Sequence, residues 1–116
     1  MLPKANRLRR SWEFRQARNR GRAYGSSLLV MHAHNQTGTA VRAGFSVSKR
    51  VGKAVVRNRV KRLMREGVRA NLMEAKPGYD LIFTARPSAA FSTYGEIRQA
   101  IEELLRRGGI LQRLNS

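Results

Sequence analysis

Residues 44–66 read GFSVSKRVGKAVVRNRVKRLMRE, and the reading of that stretch decides the fold. Gly44–Val47 alternates as a strand does, Ser48–Gly52 makes a tight basic turn, and the remainder has the period of a helix. At about 100° per residue, Val56, Val60, Leu63, Met64 and Gly67 gather on one arc. Arg57, Asn58, Lys61, Arg62, Arg65 and Arg69 gather on the opposite arc. Arg57, Lys61, Arg65 and Arg69 repeat at i,i+4 spacing, where like charges repel by a few tenths of a kcal/mol per pair. Such a row works against an isolated helix. It becomes useful when the face meets a polyanion.

Working outward, this helix is expected from about Lys53 to Glu74, where Lys76-Pro77-Gly78 must end it. Tyr79–Ala85 follows as a strand, so strand, helix and strand form a βαβ unit with its two strands parallel. Upstream, Ser27–His34 and Ala40–Ser48 read as a pair of strands. Their link, Asn35–Thr39, carries the Asn and Gly of a hairpin loop. In the first, Leu29, Met31 and Ala33 share a face opposite Val30, His32 and His34; in the second, Phe45 and Val47 oppose Arg42, Gly44, Ser46 and Ser48. Arg22–Tyr24 adds a short edge strand.

Before it, Ser11 is expected to cap a short helix running to about Arg20. Gly21 stops that helix at the C′ position, and Phe14 and Ala17 lie on one side, with Trp12 near the start. Residues 1–10 read as an extended basic arm, with Pro3 blocking an earlier helix. Downstream, Arg86-Pro87-Ser88 breaks the strand and Thr93-x-x-Glu96 has the form of a capping box. Ile97, Ala100, Ile101, Leu104 and Leu105 give the last helix its apolar stripe. Gly108-Gly109 ends it, and residues 110–116 are expected to fray. The expectation is one α+β domain over residues 1–116: a small two-layer sandwich, with a roughly four-stranded mixed sheet and three helices packed on one face.

Composition narrows the partners. The chain has 116 residues, 41% hydrophobic, enough for one modest core. Lys and Arg number 24 against 7 Asp and Glu, a net charge of +17 that points to nucleic acid before membrane or acidic protein. There is no cysteine, hence no disulfide or thiolate metal site, and a cytoplasmic location fits. Neither a secretory signal nor an apolar run of the ~20 residues that span a bilayer is present. A self-sufficient nuclease needs paired carboxylates holding metal, or His and Lys as acid and base. Here the acids are scattered, and the one adjacent pair, Glu102-Glu103, sits among arginines on the last helix. His32 and His34 are spaced to share a metal but lack a third ligand nearby, so no metal site is expected in the protein.

The block SVSKRVGKAVVRNRVKRLMRE at 46–66 resembles the signature of the bacterial ribonuclease P protein subunit, whose hallmark triplet matches Arg57-Asn58-Arg59. Asn6-Arg7-Leu8, Phe14, the Gly44 strand, Tyr79-Asp80 and Ala85-Arg86 fall in the same order as in that family, so the resemblance covers nearly the whole chain. It implies a left-handed βαβ crossover, against the usual rule. It also implies a protein that assists a catalytic RNA in removing the 5′ leader of precursor tRNA, with the Mg²⁺ of that hydrolysis held mainly by RNA. Partners would be that RNA and precursor tRNA, not DNA or a membrane.

Matched by position, Arg57, Asn58, Arg59, Lys61, Arg62 and Arg65, extended by Arg69, would dock on the catalytic RNA, with Lys49, Arg50 and Lys53 in the entry turn. Phe14 matches an aromatic lining a leader cleft between the first helix and the open sheet face. Ser46, Ser48 and Arg42 share a strand face that points there. Arg18 and His32 stand where many relatives carry aromatics; both side chains can still stack on bases. The alternative is a small basic ribosomal protein bound to rRNA.

Overall fold

A computed structural model describes residues 2–36, 38 and 40–111. Four stretches with strand alternation form one sheet: β1 (Arg22–Gly25), β2 (Leu29–Asn35), β3 (Arg42–Ser46) and β4 (Tyr79–Ala85). Their order is β1-β2-β4-β3. β1 with β2 and β2 with β4 are antiparallel, whereas β3 with β4 is parallel. Three α-helices, α1 (Ser11–Arg20), α2 (Ala54–Arg69) and α3 (Tyr94–Arg107), complete the α+β architecture read from sequence.

The expected β2–β3 hairpin does not form, because β4 lies between the two strands. The reason is in β4 itself. Leu81, Ile82 and Phe83 are consecutive and all buried, and a strand apolar on both sides belongs in the middle of a sheet. The link between β2 and β3 instead passes over the start of β4. The Gln36 N–H donates to the Gly78 carbonyl at 2.7 Å, and the Gly78 N–H donates to the Ala40 carbonyl at 3.1 Å. Gly78 has φ +88°, a left-handed conformation that glycine adopts at no steric cost. Of the loop residues, Thr37 and Thr39 lie outside the described residues.

The two faces of the sheet carry different helices. Leu29, Met31, Ala43, Leu81 and Phe83 pack with Val60, Met64 and Val68 of α2 and Ile97, Ile101, Leu104 and Leu105 of α3 in the main core. Ile82, of opposite parity to its neighbours, packs on the other face with Leu8 and Ala17, and Phe14 leans on that cluster. α1 therefore covers the face opposite α2 and α3, and the expectation of all three helices on one side is corrected. Parity explains it: β4 offers an apolar side chain to each face, so a second, smaller helix layer has something to cover.

Helix ends also differ in detail. The α1 N-cap is Arg10 rather than Ser11, and Glu13 closes the first turn by accepting from the Arg9 and Arg10 N–H groups at 3.0 Å each. Gly21 follows in extended conformation (φ −85°), not left-handed. A side chain there would meet the Ala17 carbonyl oxygen at 2.4 Å and that of Ala33 at 2.7 Å. α2 stops at Arg69, short of Glu74, since the Asn71 side-chain amide donates to the Gly67 carbonyl at 2.9 Å and a 3-10 turn, Leu72–Glu74, takes over. Thr93 caps α3 with Glu96 in a capping box, as its sequence predicts.

Both ends of the described residues are tied down. Leu2 and Leu8 are buried, Arg7 bridges to Ala43 in parallel, and the Asn6 amide donates to the Val41 carbonyl at 2.7 Å. The basic arm expected at residues 1–10 thus lies against β3 through Asn6 and Arg7 and covers its open edge. Ile110 and Leu111 are buried too, and the Lys76 N–H donates to the Ile110 carbonyl at 2.7 Å, so fraying does not begin at residue 110. The rest of that expected tail, 112–116, lies outside the described residues. No helix among the described residues is long and apolar enough to cross a membrane.

Gly67 lets α2 approach α3: a Cβ there would sit 2.7 Å from Ile101 Cδ1. Gly67→Leu should therefore cost about 1–3 kcal/mol through overpacking, read as a lower urea midpoint with an unchanged slope.

Candidate RNA interface

Because α1 covers only part of its face, a groove of about 370 Å³ runs between α1 and β3, lined by Arg9, Ser11, Phe14, Arg15, Arg18, Phe45 and Ser46. At Phe14 it meets a second hollow lined by Arg7, Leu8, Phe14, Ala43, Gly44, Phe45, Lys61 and Arg65. The two hollows share Phe14 and Phe45, and the channel they line together reaches from α1 to Lys61 and Arg65 of α2. None of its lining residues is acidic. The Phe14 ring rests on Gly44, where a Cβ would come within 2.4 Å of it, so the glycine is what seats the aromatic in the channel floor.

One side chain ties α1, a wall of this channel, to the sheet. Arg42 Nε and Nη2 donate to the two Asp80 carboxylate oxygens at 2.9 and 2.8 Å, and Nη1 donates to Glu13 Oε2 at 2.8 Å. α1 is thereby pinned to the sheet through a guanidinium engaged on both sides, and Arg42 acts in the scaffold rather than as a free leader contact. The Asp80 bonds raise the Arg42 pKa against the opposing effect of burial, with Glu13 adding to them. For Glu13, burial pulls the carboxyl upward. Hydrogen bonds from the Arg10 and Arg9 backbone and the charge of Arg42 outweigh that and hold it below its ordinary value near 4.5.

The other expected leader residues divide. Phe14, Arg18 and Ser46 line the channel. Ser48 lies past β3, where its hydroxyl accepts from the Arg50 N–H at 3.3 Å, so it shapes the basic turn instead. His32 is half-buried and does not line the channel; burial, then the charge of Arg18, lowers its pKa and keeps the imidazole neutral at pH 7. Among the described residues, no group of three or more His, Cys, Asp or Glu is placed to hold a metal. Sequence reasoning missed Arg7, Arg9 and Arg15 as channel cations; their density before and within α1 was the available signal.

On α2 the cationic arc has two edges. Lys61 and Arg65 border the channel, while Asn58, Arg62 and Arg69 are exposed, as are Lys49, Arg50 and Lys53 in the preceding turn. Arg69 Nη1 lies 3.3 Å from Glu66 Oε1. Both arginines of the Arg57-Asn58-Arg59 triplet turn inward. Arg57 Nε donates to the Gly52 carbonyl at 3.1 Å, closing the entry turn, and Arg59 donates to the carbonyls of Ala90 and Ser92 at 3.2 and 2.6 Å. The triplet thus sends one arginine into the turn and one across to the segment before α3, leaving Asn58 exposed between them.

A family model described as Ribonuclease P matches residues 2–109. The chain belongs to the ribonuclease P protein family. It is 46% identical over 108 residues to a ribonuclease P protein component of Clostridium botulinum strain Langeland, covering 92% of this chain and 97% of that one. A counterpart in Alkaliphilus metalliredigens is 42% identical over 102 residues, 88% of this chain and 92% of its own. Among solved structures, the Staphylococcus aureus RNase P protein superposes with a TM-score of 0.85 at 28% identity, over 93% of this chain and 99% of that one. The Thermotoga maritima RNase P protein gives 0.80 at 26% identity, over 87% and 96%. Membership places the chain with the protein components of a ribonucleoprotein endoribonuclease, so its partner is RNA, and the ribosomal alternative is not favoured.

Two outcomes follow from the geometry. Glu13 is held below its unfolded pKa, so its contribution to stability is complete above about pH 4.5 and is lost as pH falls through the lower native value. Melting temperature should drop across that acid range, and less steeply in Glu13→Gln. Arg59→Ala should lower the melting temperature, by about 1–3 kcal/mol of stability for two lost charged hydrogen bonds, whereas Arg62→Ala should leave it unchanged.

Proposed function

We propose that this chain is the cytoplasmic subunit that seats the catalytic RNA of ribonuclease P and the 5′ leader of precursor tRNA against each other, while bond breaking belongs to the RNA. The observation that carries this reading is the acid-free channel, with Phe14 in its floor, that reaches Lys61 and Arg65 of α2. A strand of RNA in the channel would stack a base on Phe14 and lay its phosphates along Arg9, Arg15 and Arg18. The exposed cations of α2 and its entry turn would meet the second RNA. A cationic wedge between two polyanions lowers their repulsion, so assembly would need less Mg²⁺.

Hydrolytic chemistry is assigned to the RNA and the Mg²⁺ it holds. Glu13 and Asp80 are both already engaged by Arg42, which supports that assignment. Each phosphate contact releases a condensed counterion, so affinity should fall steeply with salt.

Leader release by the purified chain, mixed with ribonuclease P RNA at low Mg²⁺, tests the reading: both together should cleave and neither alone should. Phe14→Ala should weaken precursor binding by roughly 5- to 100-fold with mature tRNA binding unchanged. Arg62→Ala should weaken docking on the catalytic RNA and reduce the salt slope by about one. Cleavage by the chain freed of RNA, or unchanged affinities in both variants, would overturn it.

A further inference from the structure

Phe91 ends the 3-10 turn Pro87–Phe91 and is 93% exposed, although Ala89, Ala90 and Ser92 beside it are all buried. The backbone that carries it is tightly held. Arg59 grips the carbonyls of Ala90 and Ser92 on either side, the Ser92 N–H donates to the Ala89 carbonyl at 3.1 Å, and the Ser88 hydroxyl donates to the Ser27 carbonyl at 2.5 Å. The ring therefore projects from a fixed base, and little backbone entropy is lost when something covers it.

Its surroundings indicate what that is. At about 100° per residue, Val55, Arg59, Arg62 and Glu66 lie along one line of α2. Arg59 meets Ala90 and Ser92, and the Tyr94 hydroxyl donates to the Glu66 carbonyl at 3.4 Å, so the segment holding Phe91 runs beside that line. Exposed Arg62 and Val55 belong to the same surface. An aromatic ring on a rigid support beside arginine suits an unpaired nucleotide, whose base stacks on the ring while its phosphate meets the cation. We propose that Phe91 is a stacking platform for one unpaired base of the RNA that docks on α2. It is a second aromatic contact, reached over the edge of the helix facing away from Phe14. This rests on the reading of α2 as the RNA-docking helix. It also gives Arg59 a purpose beyond direct contact: it positions the platform.

Stacking neutralises no phosphate, so it leaves a signature distinct from that of the arginines. Binding of in vitro transcribed ribonuclease P RNA is titrated over a salt series for wild type, Phe91→Ala, Phe91→Leu and Phe91→Tyr. Ala and Leu should weaken binding by roughly 5- to 100-fold with the wild-type salt slope, Tyr should bind as wild type, and all should melt as wild type. Unchanged affinity in Phe91→Ala, or wild-type affinity in Phe91→Leu, overturns the platform while leaving the docking helix in place. A wild-type chain that does not bind the RNA overturns both.

Discussion

The fold's functional shape depends on the Arg42 guanidinium bridging Asp80 of β4 and Glu13 of α1. Apolar contact on that face of the sheet is small, essentially Leu8, Ala17 and Ile82 with Phe14 leaning in. A cluster of that size leaves the angle of a ten-residue helix loosely defined. A planar guanidinium bound to two carboxylates sets distance and direction together. Removing Arg42 would leave two partly buried carboxylates without their charge partner, which costs more than the bridge is favourable. The bridge fixes α1, one wall of the channel, relative to β3 and β4.

Charge management follows from the same scarcity of acids. With a net charge of +17 the chain cannot neutralise its arginines by pairing, so several are satisfied by backbone carbonyls instead. Arg57 closes the turn before α2 and Arg59 holds the segment before α3; Arg86 and Arg107 reach the Ser26 and Gly25 carbonyls at 2.7 Å each. These bonds convert cations into structural ties without adding acids that would repel an RNA. Other arginines stay exposed, among them Arg62 and Arg69 of α2, Arg50 of its entry turn and Arg9, Arg15 and Arg18 of the channel, where self-repulsion is relieved when a polyanion arrives.

Close approach is the other constraint. Gly44 under Phe14, Gly67 against Ile101 and Gly21 between two carbonyls each mark a place where a single methyl group would displace a neighbouring element. Two of the three support the interface, one by seating the aromatic and one by fixing α2 against α3.

Much of this was legible in the residues themselves. Local rules placed β4 at Tyr79–Ala85, the capping box of α3 and the amphipathic period of α2, because each depends on neighbours within a few positions, and the strand-helix-strand order of these elements gave the parallel βαβ unit. The cationic face of α2 and the RNA partner were equally readable, since charge and period survive without coordinates. What tertiary structure alone decided is which surfaces meet. That β4 enters between β2 and β3, that α1 takes the opposite face, that Arg42 and Arg59 are ties rather than free cations, and that Phe91 stands outward are all consequences of pairings between distant segments. A side chain's type states what it can bind, but the register of the sheet determines whether a partner is already there.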